Sequence, residues 1–216
     1  MTWLSPAFPV GAFSYSHGLE FAIDTGTVHT GDDLEGWVAD LLEVGSGWSD
    51  AVLLAESWRA GRDADAGRLT EVAELAAAMA PSRERHLETT GQGAAFQQAV
   101  AGAWPGPTAA ALLEAKHATA YPVAVGAVAG EHALPLEPVL AAFLNGFAAN
   151  LASVAVRLVP LGQTEGLRVM AALHPLVEAS AARAALSDLD DLGSATILSD
   201  VASMRHETQY SRVFRT

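Results

Sequence analysis

Apolar residues recur along this chain at steps of three and four, and that spacing predicts helix over nearly its whole length. Thr30-Gly31-Asp32-Asp33 supplies an N-cap with an acidic residue three positions on, and Leu34, Trp37, Val38, Leu41 and Leu42 follow at helical spacing. Gly45 and Gly47 are expected to stop that helix, and the next carries Val52, Ala55 and Trp58 and ends at Gly61. Leu69, Val72, Ala76 and Met79 form a third stripe, closed by Pro81. A fourth helix is expected from Ser82 to Ala103, broken by Pro105-Gly106-Pro107, and a shorter one over Ala109 to His117. Tyr121-Pro122 reads as another start, since proline is tolerated in a first turn.

Leu140, Leu144, Phe147, Leu151, Val154 and Leu158 alternate steps of four and three, as a packed seam does. The other side of that helix carries Val139, Phe143 and Ala148, so it is central in the fold or lies in an oligomer interface. Leu167 to Leu186 continues the pattern, with an interruption allowed at His174-Pro175. The last helix begins near Ser194 and shows Ile197, Val201 and Met204. No alternating strand pattern and no repeat is visible. The expected fold is all-α: one domain over residues 1–216, a bundle of about eight to ten helices around a buried central helix.

The N-terminus departs from this rhythm. In Ser5-Pro6-Ala7-Phe8-Pro9-Val10-Gly11-Ala12-Phe13-Ser14-Tyr15-Ser16-His17-Gly18-Leu19-Glu20, Pro6 and Pro9 forbid helix and Gly11 supplies a permissive backbone position. Ser14 or Ser16 is expected to cap a short helix that stops near Gly26. Phe8, Val10 and Phe13 must bury against the protein's own core or against a partner.

Charge adds a contrast. The net charge of -13 over 216 residues makes nucleic acid an unsuitable partner. Arg205, Arg212 and Arg215 against Glu207 give residues 205–216 a charge of +2, which leaves -15 on the other 204. A basic, aromatic tail with Tyr210 and Phe214 thus follows an acidic body. Two readings stand equally on the residues alone: the tail folds back on its own acidic surface, or it docks on a partner. The chain has no cysteine, which excludes disulfides and thiol chemistry and suits a reducing cytoplasm. No secretory signal is legible at the N-terminus. Val139 to Leu161 is the most apolar stretch, but Asn145, Asn150 and Arg157 argue for a buried helix over a membrane span.

Catalytic apparatus is hard to find. No Gly-x-x-x-x-Gly-Lys-Ser/Thr loop is present, and Lys116 is the sole lysine. Gly91 and Gly93 have no preceding strand, so they form no dinucleotide fingerprint. His206-Glu207 begins like a zinc-protease helix, but Tyr210 stands where the second histidine belongs. His17, His29, His86, His117, His132, His174 and His206 are never three or four apart, so no helical metal pair exists; His17 and His206 rank first among them by position. No Gly-x-Ser-x-Gly elbow occurs, and Asp188, Asp190 and Asp191 read as a loop and helix cap. The expectation is no catalytic residue and no metal site. The alternatives are an all-helical enzyme with a pocket lined by His17, Glu20 and His206, and a metal-storing or metal-carrying protein, against which the lack of cysteine and histidine clusters counts.

Three segments carry a resemblance. Ser5 to Glu20, Tyr121-Pro122-Val123-Ala124-Val125-Gly126, and Asp200-Val201-Ala202-Ser203-Met204-Arg205-His206-Glu207-Thr208-Gln209-Tyr210-Ser211-Arg212-Val213-Phe214-Arg215 resemble, in that order, signatures of the urease accessory protein F family. Only Met1 to Leu4 precede the first motif, where family members usually carry an apolar helical stretch. The resemblance implies an all-helical homodimer that binds accessory protein D (called H in some organisms), recruits the GTPase accessory protein G, and helps deliver nickel to the urease apoprotein. It implies no directly bound cofactor, since nickel and GTP belong to the partner complex; the charge and the polar residues of the apolar stretch already count against nucleic acid and membrane as partners. It favours docking for the tail. The partner-binding residues it implies are Arg205, His206, Glu207, Tyr210, Arg212 and Phe214 at one end and Ser14, Tyr15, His17 and Glu20 at the other.

Overall fold

The computed structural model describes residues 2–5, 7–115, 118–159 and 161–215. Pro6 and His117, on which two sequence expectations rest, lie outside the described residues. The described chain is helical throughout, as expected, and shows no strand. The α-helices are α1 (Leu19–Asp24), α2 (Gly31–Val44), α3 (Ser46–Asp63), α4 (Ala66–Ala78), α5 (Arg83–Ala103), α6 (Pro107–Glu114), α7 (Tyr121–Glu131), α8 (Leu136–Leu158), α9 (Gln163–Leu186) and α10 (Ile197–His206). Short 3-10 turns occur at Thr2–Leu4, Ala12–Ser14 and Leu189–Asp191.

Among the described residues, side-chain caps set three of the ten α-helix starts, those of α2, α4 and α5. Thr30 and Asp33 close a reciprocal capping box on α2, and Ser82 caps α5 through the amide of Arg85. Asp188 and Asp191 form a second box on the last 3-10 turn, the loop role expected of that acidic run. Gly45 alone separates α2 from α3. Gly47 sits inside α3, and that helix runs past Gly61 to Asp63. Neither Ser14 nor Ser16 caps α1. Its N-cap is Gly18 at φ 78°, after His17 at φ 60°, and it has no side-chain cap. Two successive left-handed residues turn the chain into α1, and glycine takes that region freely. α9 continues through Pro175 without a break. Pro175 and Ala171, whose carbonyl loses its helical donor, both face solvent, where water can replace the missing bond.

The buried central helix is α7, with every residue from Pro122 to Gly130 buried. It lies against α3 with the two backbones in contact. A Cβ at Gly126 would strike the Leu54 carbonyl, one at Gly130 the Trp58 carbonyl, and one at Gly61 the Ala127 carbonyl. α8 carries the strongest apolar seam but is half buried, packing on α9, α3 and α1 with its other side open. By length and composition alone α8 could cross a bilayer; as the helix of a bundle, its seam of Leu140, Leu144, Leu151 and Val154 is core. Trp3, Phe8, Phe96, Tyr121 and Phe143 form an aromatic chain, with neighbouring ring centres 5.5 to 6.2 Å apart, which buries the N-terminal segment on α5, α7 and α8. Phe8 is buried there, Val10 packs at its edge, and Phe13 stays exposed.

Candidate functional site: a clasp between the two chain ends

The first turns of α5 bring Glu84, Arg85 and Glu88 to a buried face, and both chain ends fold onto it. His206, the last residue of α10, is fully buried between two carboxylates: Nδ1 lies 2.7 Å from Glu84 Oε2, and Nε2 lies 3.1 Å from Glu20 Oε2. Both ring nitrogens can donate at once only in the imidazolium form. Arg212 donates to Glu84 Oε1 at 2.6 Å and to the His206 carbonyl at 3.4 Å. The Glu20 carboxylate also accepts from two successive tail amides, Val213 at 2.6 Å and Phe214 at 2.9 Å. Phe214 is buried, with the Arg157 guanidinium 4.3 Å above its ring, and the Arg215 amide donates to the Ser14 carbonyl at 2.9 Å.

The rest of α10 is fastened to the same elements. Ser82 and Ser203 share a 2.6 Å hydrogen bond, and Glu207 accepts from the Arg83 amide at 2.9 Å. Gly18 meets the α10 backbone so closely that a Cβ there would lie 2.7 Å from the Ser203 nitrogen.

His17 belongs to a second, adjoining knot. Its Nδ1 lies 3.4 Å from Glu88 Oε1 and its Nε2 lies 2.5 Å from Ser46 Oγ. Burial, aided by the Arg85 charge, pushes His17 down to about 4, so at neutral pH the ring is uncharged. The neutral ring donates to Glu88 and accepts from Ser46. Burial alone would raise Glu88, but Arg85, 2.5 Å away, and His17 together hold it down to about 2. Burial drives Asp50 up to about 6, with Arg85 3.9 Å away opposing the rise.

These shifts predict a pH response. Unfolded His17 takes up a proton between pH 6.5 and 4 that the folded chain refuses, so its contribution to stability falls as pH drops through that window. Asp50 acts the opposite way: between about 6 and 3.8 the folded chain holds a proton that the unfolded chain has released, so its contribution rises as pH drops. The two nearly cancel. His17→Asn, which tolerates the left-handed backbone, should therefore gain stability relative to the parent by ~3 kcal/mol between pH 6.5 and 4. Urea midpoints of the two proteins measured across that range check this, and parallel curves would refute it.

The clasp unites six of the ten residues singled out by sequence: Ser14, Glu20, His206, Glu207, Arg212 and Phe214. His17 sits in the adjoining knot. Tyr15 contributes its carbonyl, which accepts from Asn150 at 3.1 Å. Arg205 and Tyr210 point to solvent, Tyr210 completely. The sequence reading missed Glu84, Arg85, Glu88, Ser46 and Asp50. A signal existed for the α5 residues: Phe96 and Val100 continue backward at helical spacing through Gln92 to Glu88 and Glu84, placing charge on a buried face.

Among the described residues, neither the cavity beside Asp50 and Arg85 nor the one beside Trp3 and Trp104 has His17, Glu20 or His206 in its lining, so neither is the pocket of the enzyme alternative. Among the described residues, no group of three or more metal-binding side chains is placed to hold an ion. The arrangement ties two chain ends to a helix.

Comparison with known proteins gives the family. The sequence profile described as UreF matches residues 28–174. The chain is 54% identical to the urease accessory protein UreF of Rhodopseudomonas palustris (strain BisB5), covering all of this chain and 89% of that protein. It is 52% identical to that of Mesorhizobium japonicum over all of this chain and 94% of the relative, and 53% identical to urease accessory protein UreF 1 of Brucella canis over all of it and 92% of the relative. The chain belongs to the UreF family of urease accessory proteins, which are assembly factors and not catalysts.

Proposed function

We propose that this chain is the scaffold and regulator of a nickel-delivery assembly. In this reading it binds accessory protein D, the pair recruits the GTPase accessory protein G, and together they load nickel into the urease apoprotein. Nickel and GTP are handled by the partners, and the work is done in the cytoplasm. The observation that carries the reading is the tail. The clasp uses the inner groups of a basic tail to hold its outer groups in fixed positions. Arg205, Tyr210 and Val213 remain exposed, as do Ile197, Leu198, Val201 and Met204, which recur at helical spacing on α10. Exposed apolar and arginine-rich surface of this kind marks a protein contact.

The test is co-purification with the host's accessory proteins D and G, with and without residues 205–216. Arg212→Ala removes the guanidinium that links Glu84 to the α10 terminus. It should weaken complex formation by about tenfold, the equivalent of ~1.4 kcal/mol, with helicity unchanged by circular dichroism. Normal capture of both partners by that variant would sink the docking role.

The proposed assembly is built on a homodimer along the middle helices. α8 leaves Ala142, Asn145, Gly146, Ala149 and Ser153 partly or fully exposed, small side chains on which a second helix can come close. A monomeric mass by light scattering at micromolar concentration would overturn the dimer.

A further inference from the structure

Beside the clasp, α3, α4, α5 and α10 enclose a partly open cavity of about 110 Å³, with Ser46, Ser49, Asp50, Arg85 and Asp200 in its lining. Its charges do not balance. Among the described residues, Arg85 is the one cation within ion-pair reach of Asp50, at 3.9 Å, and its Nη1 is committed to Glu88 at 2.5 Å. The Asp200 side chain has no hydrogen-bond or ion-pair partner among the described residues. With His17 uncharged at neutral pH, the knot holds one positive group, Arg85, against Glu88, Asp50 and Asp200. Burial pushes Asp50 up to about 6 and raises Asp200 as well, as happens to carboxylates without a full counter-charge. Arg85, for its part, is 7% exposed, and its buried Nε–H has no acceptor. That nitrogen is closed off from solvent, so a group that enters the cavity does not meet it.

The cavity therefore lacks a cation for its carboxylates. The basic side chain of a protein segment supplies one. The helix that brings Asp200 to the cavity also exposes Ile197, Leu198, Val201 and Met204, apolar surface for such a segment to cover.

We propose that this cavity receives a lysine or arginine side chain of a partner protein, held by Asp50 and Asp200. The identity of that partner rests on the assembly proposed above; the chemistry of the cavity does not.

Two measurements on the full chain test it separately. The first follows the aspartate carboxyl carbons by NMR through a pH titration. In tens of millimolar methylguanidinium chloride the Asp50 midpoint should fall by about one unit relative to sodium chloride at equal ionic strength, and Asp50→Asn should erase the response. Identical midpoints in the two salts overturn the proposal. So does a shift seen with magnesium or nickel chloride and not with methylguanidinium, which would reassign the cavity to a metal ion. The second compares co-purification with accessory proteins D and G for the parent and for Asp50→Asn and Asp200→Asn, expected to lose about tenfold in affinity. A parent complex untouched by either variant overturns the cavity and leaves the assembly standing. If the parent forms no complex, the assembly reading fails and the methylguanidinium titration alone decides the cavity.

Discussion

Gly126→Val is expected to abolish the fold. Gly126 lies on α7 where that helix crosses α3, and a Cβ there would drive into the Leu54 carbonyl and meet Ser57 Cβ at 3.0 Å. The obstacle on one side is helix backbone, which cannot swing away as a side chain can. The two helices must separate, and the contacts that hold them come from both sides: Gly130 against the Trp58 carbonyl and Gly61 against the Ala127 carbonyl. Separation would loosen Leu54, Val125 and Val128, all fully buried, at the centre of the bundle. Overpacking in a yielding core costs 1–3 kcal/mol, roughly. Here the neighbours cannot yield, and the expected loss is above ~5 kcal/mol, comparable with the whole stability of an ordinary domain. Gly36→Ala on the outer side of α2 is the control. Nothing lies within 4 Å of its Cβ, and removing a glycine from a helix should stabilise by ~1 kcal/mol. Thermal melts by circular dichroism check both, and a Gly126→Val protein melting with the parent would refute the backbone-contact account.

The α3–α7 contact also shows where sequence reading reaches and where it stops. Capping chemistry is local, so the starts of α2 at Thr30 and of α5 after Ser82, and the break at Pro105-Gly106-Pro107, were legible from a few adjacent residues. Centrality is not local. Leucine and phenylalanine made α8 look like the middle of the fold, yet the most buried helix is α7, built from valine, alanine and glycine, because helices of small residues can approach backbone to backbone. The entry into α1 was missed for another reason: a histidine at φ 60° leaves no mark in sequence. For the site, the charge contrast between tail and body posed the right alternatives but could not choose between them. The choice depends on Glu20 meeting His206, residues 186 apart in the chain, and on Glu84 in a helix between them. In the structure Arg212 and Phe214 fold back, while Arg205 and Tyr210 stay outside.

Glu20→Ala should free the C-terminal tail. One carboxylate there accepts from the amides of Val213 and Phe214 and faces Nε2 of His206, all three interactions buried or nearly so. Truncation leaves two backbone donors and an imidazole without their acceptor. Removing one partner from a buried charged network typically costs 3–5 kcal/mol, about the free energy that holds a short terminal segment in place. The favourable response is then local: Val213 to Arg215 detach, Phe214 leaves its seat under Arg157, and Arg212 loses its alignment with Glu84. Hydrogen exchange should show the Val213 and Phe214 amides going from protected to fully exchanging, and trypsin should cut after Arg212 at an early time. The helices of the core should keep their protection. Phe214→Ala in the Glu20→Ala background should add much less than it costs alone, because the seat is already empty. Amides of Val213 and Phe214 as protected as in the parent would mean that the tail is held by its other contacts, Arg212 on Glu84 and Phe214 in its pocket, and that Glu20 is not the anchor. Gln at position 20 separates charge from shape. The amide keeps the size but turns an NH2 toward one of the groups now donating to the carboxylate, so Glu20→Gln should release the tail nearly as fully as alanine does.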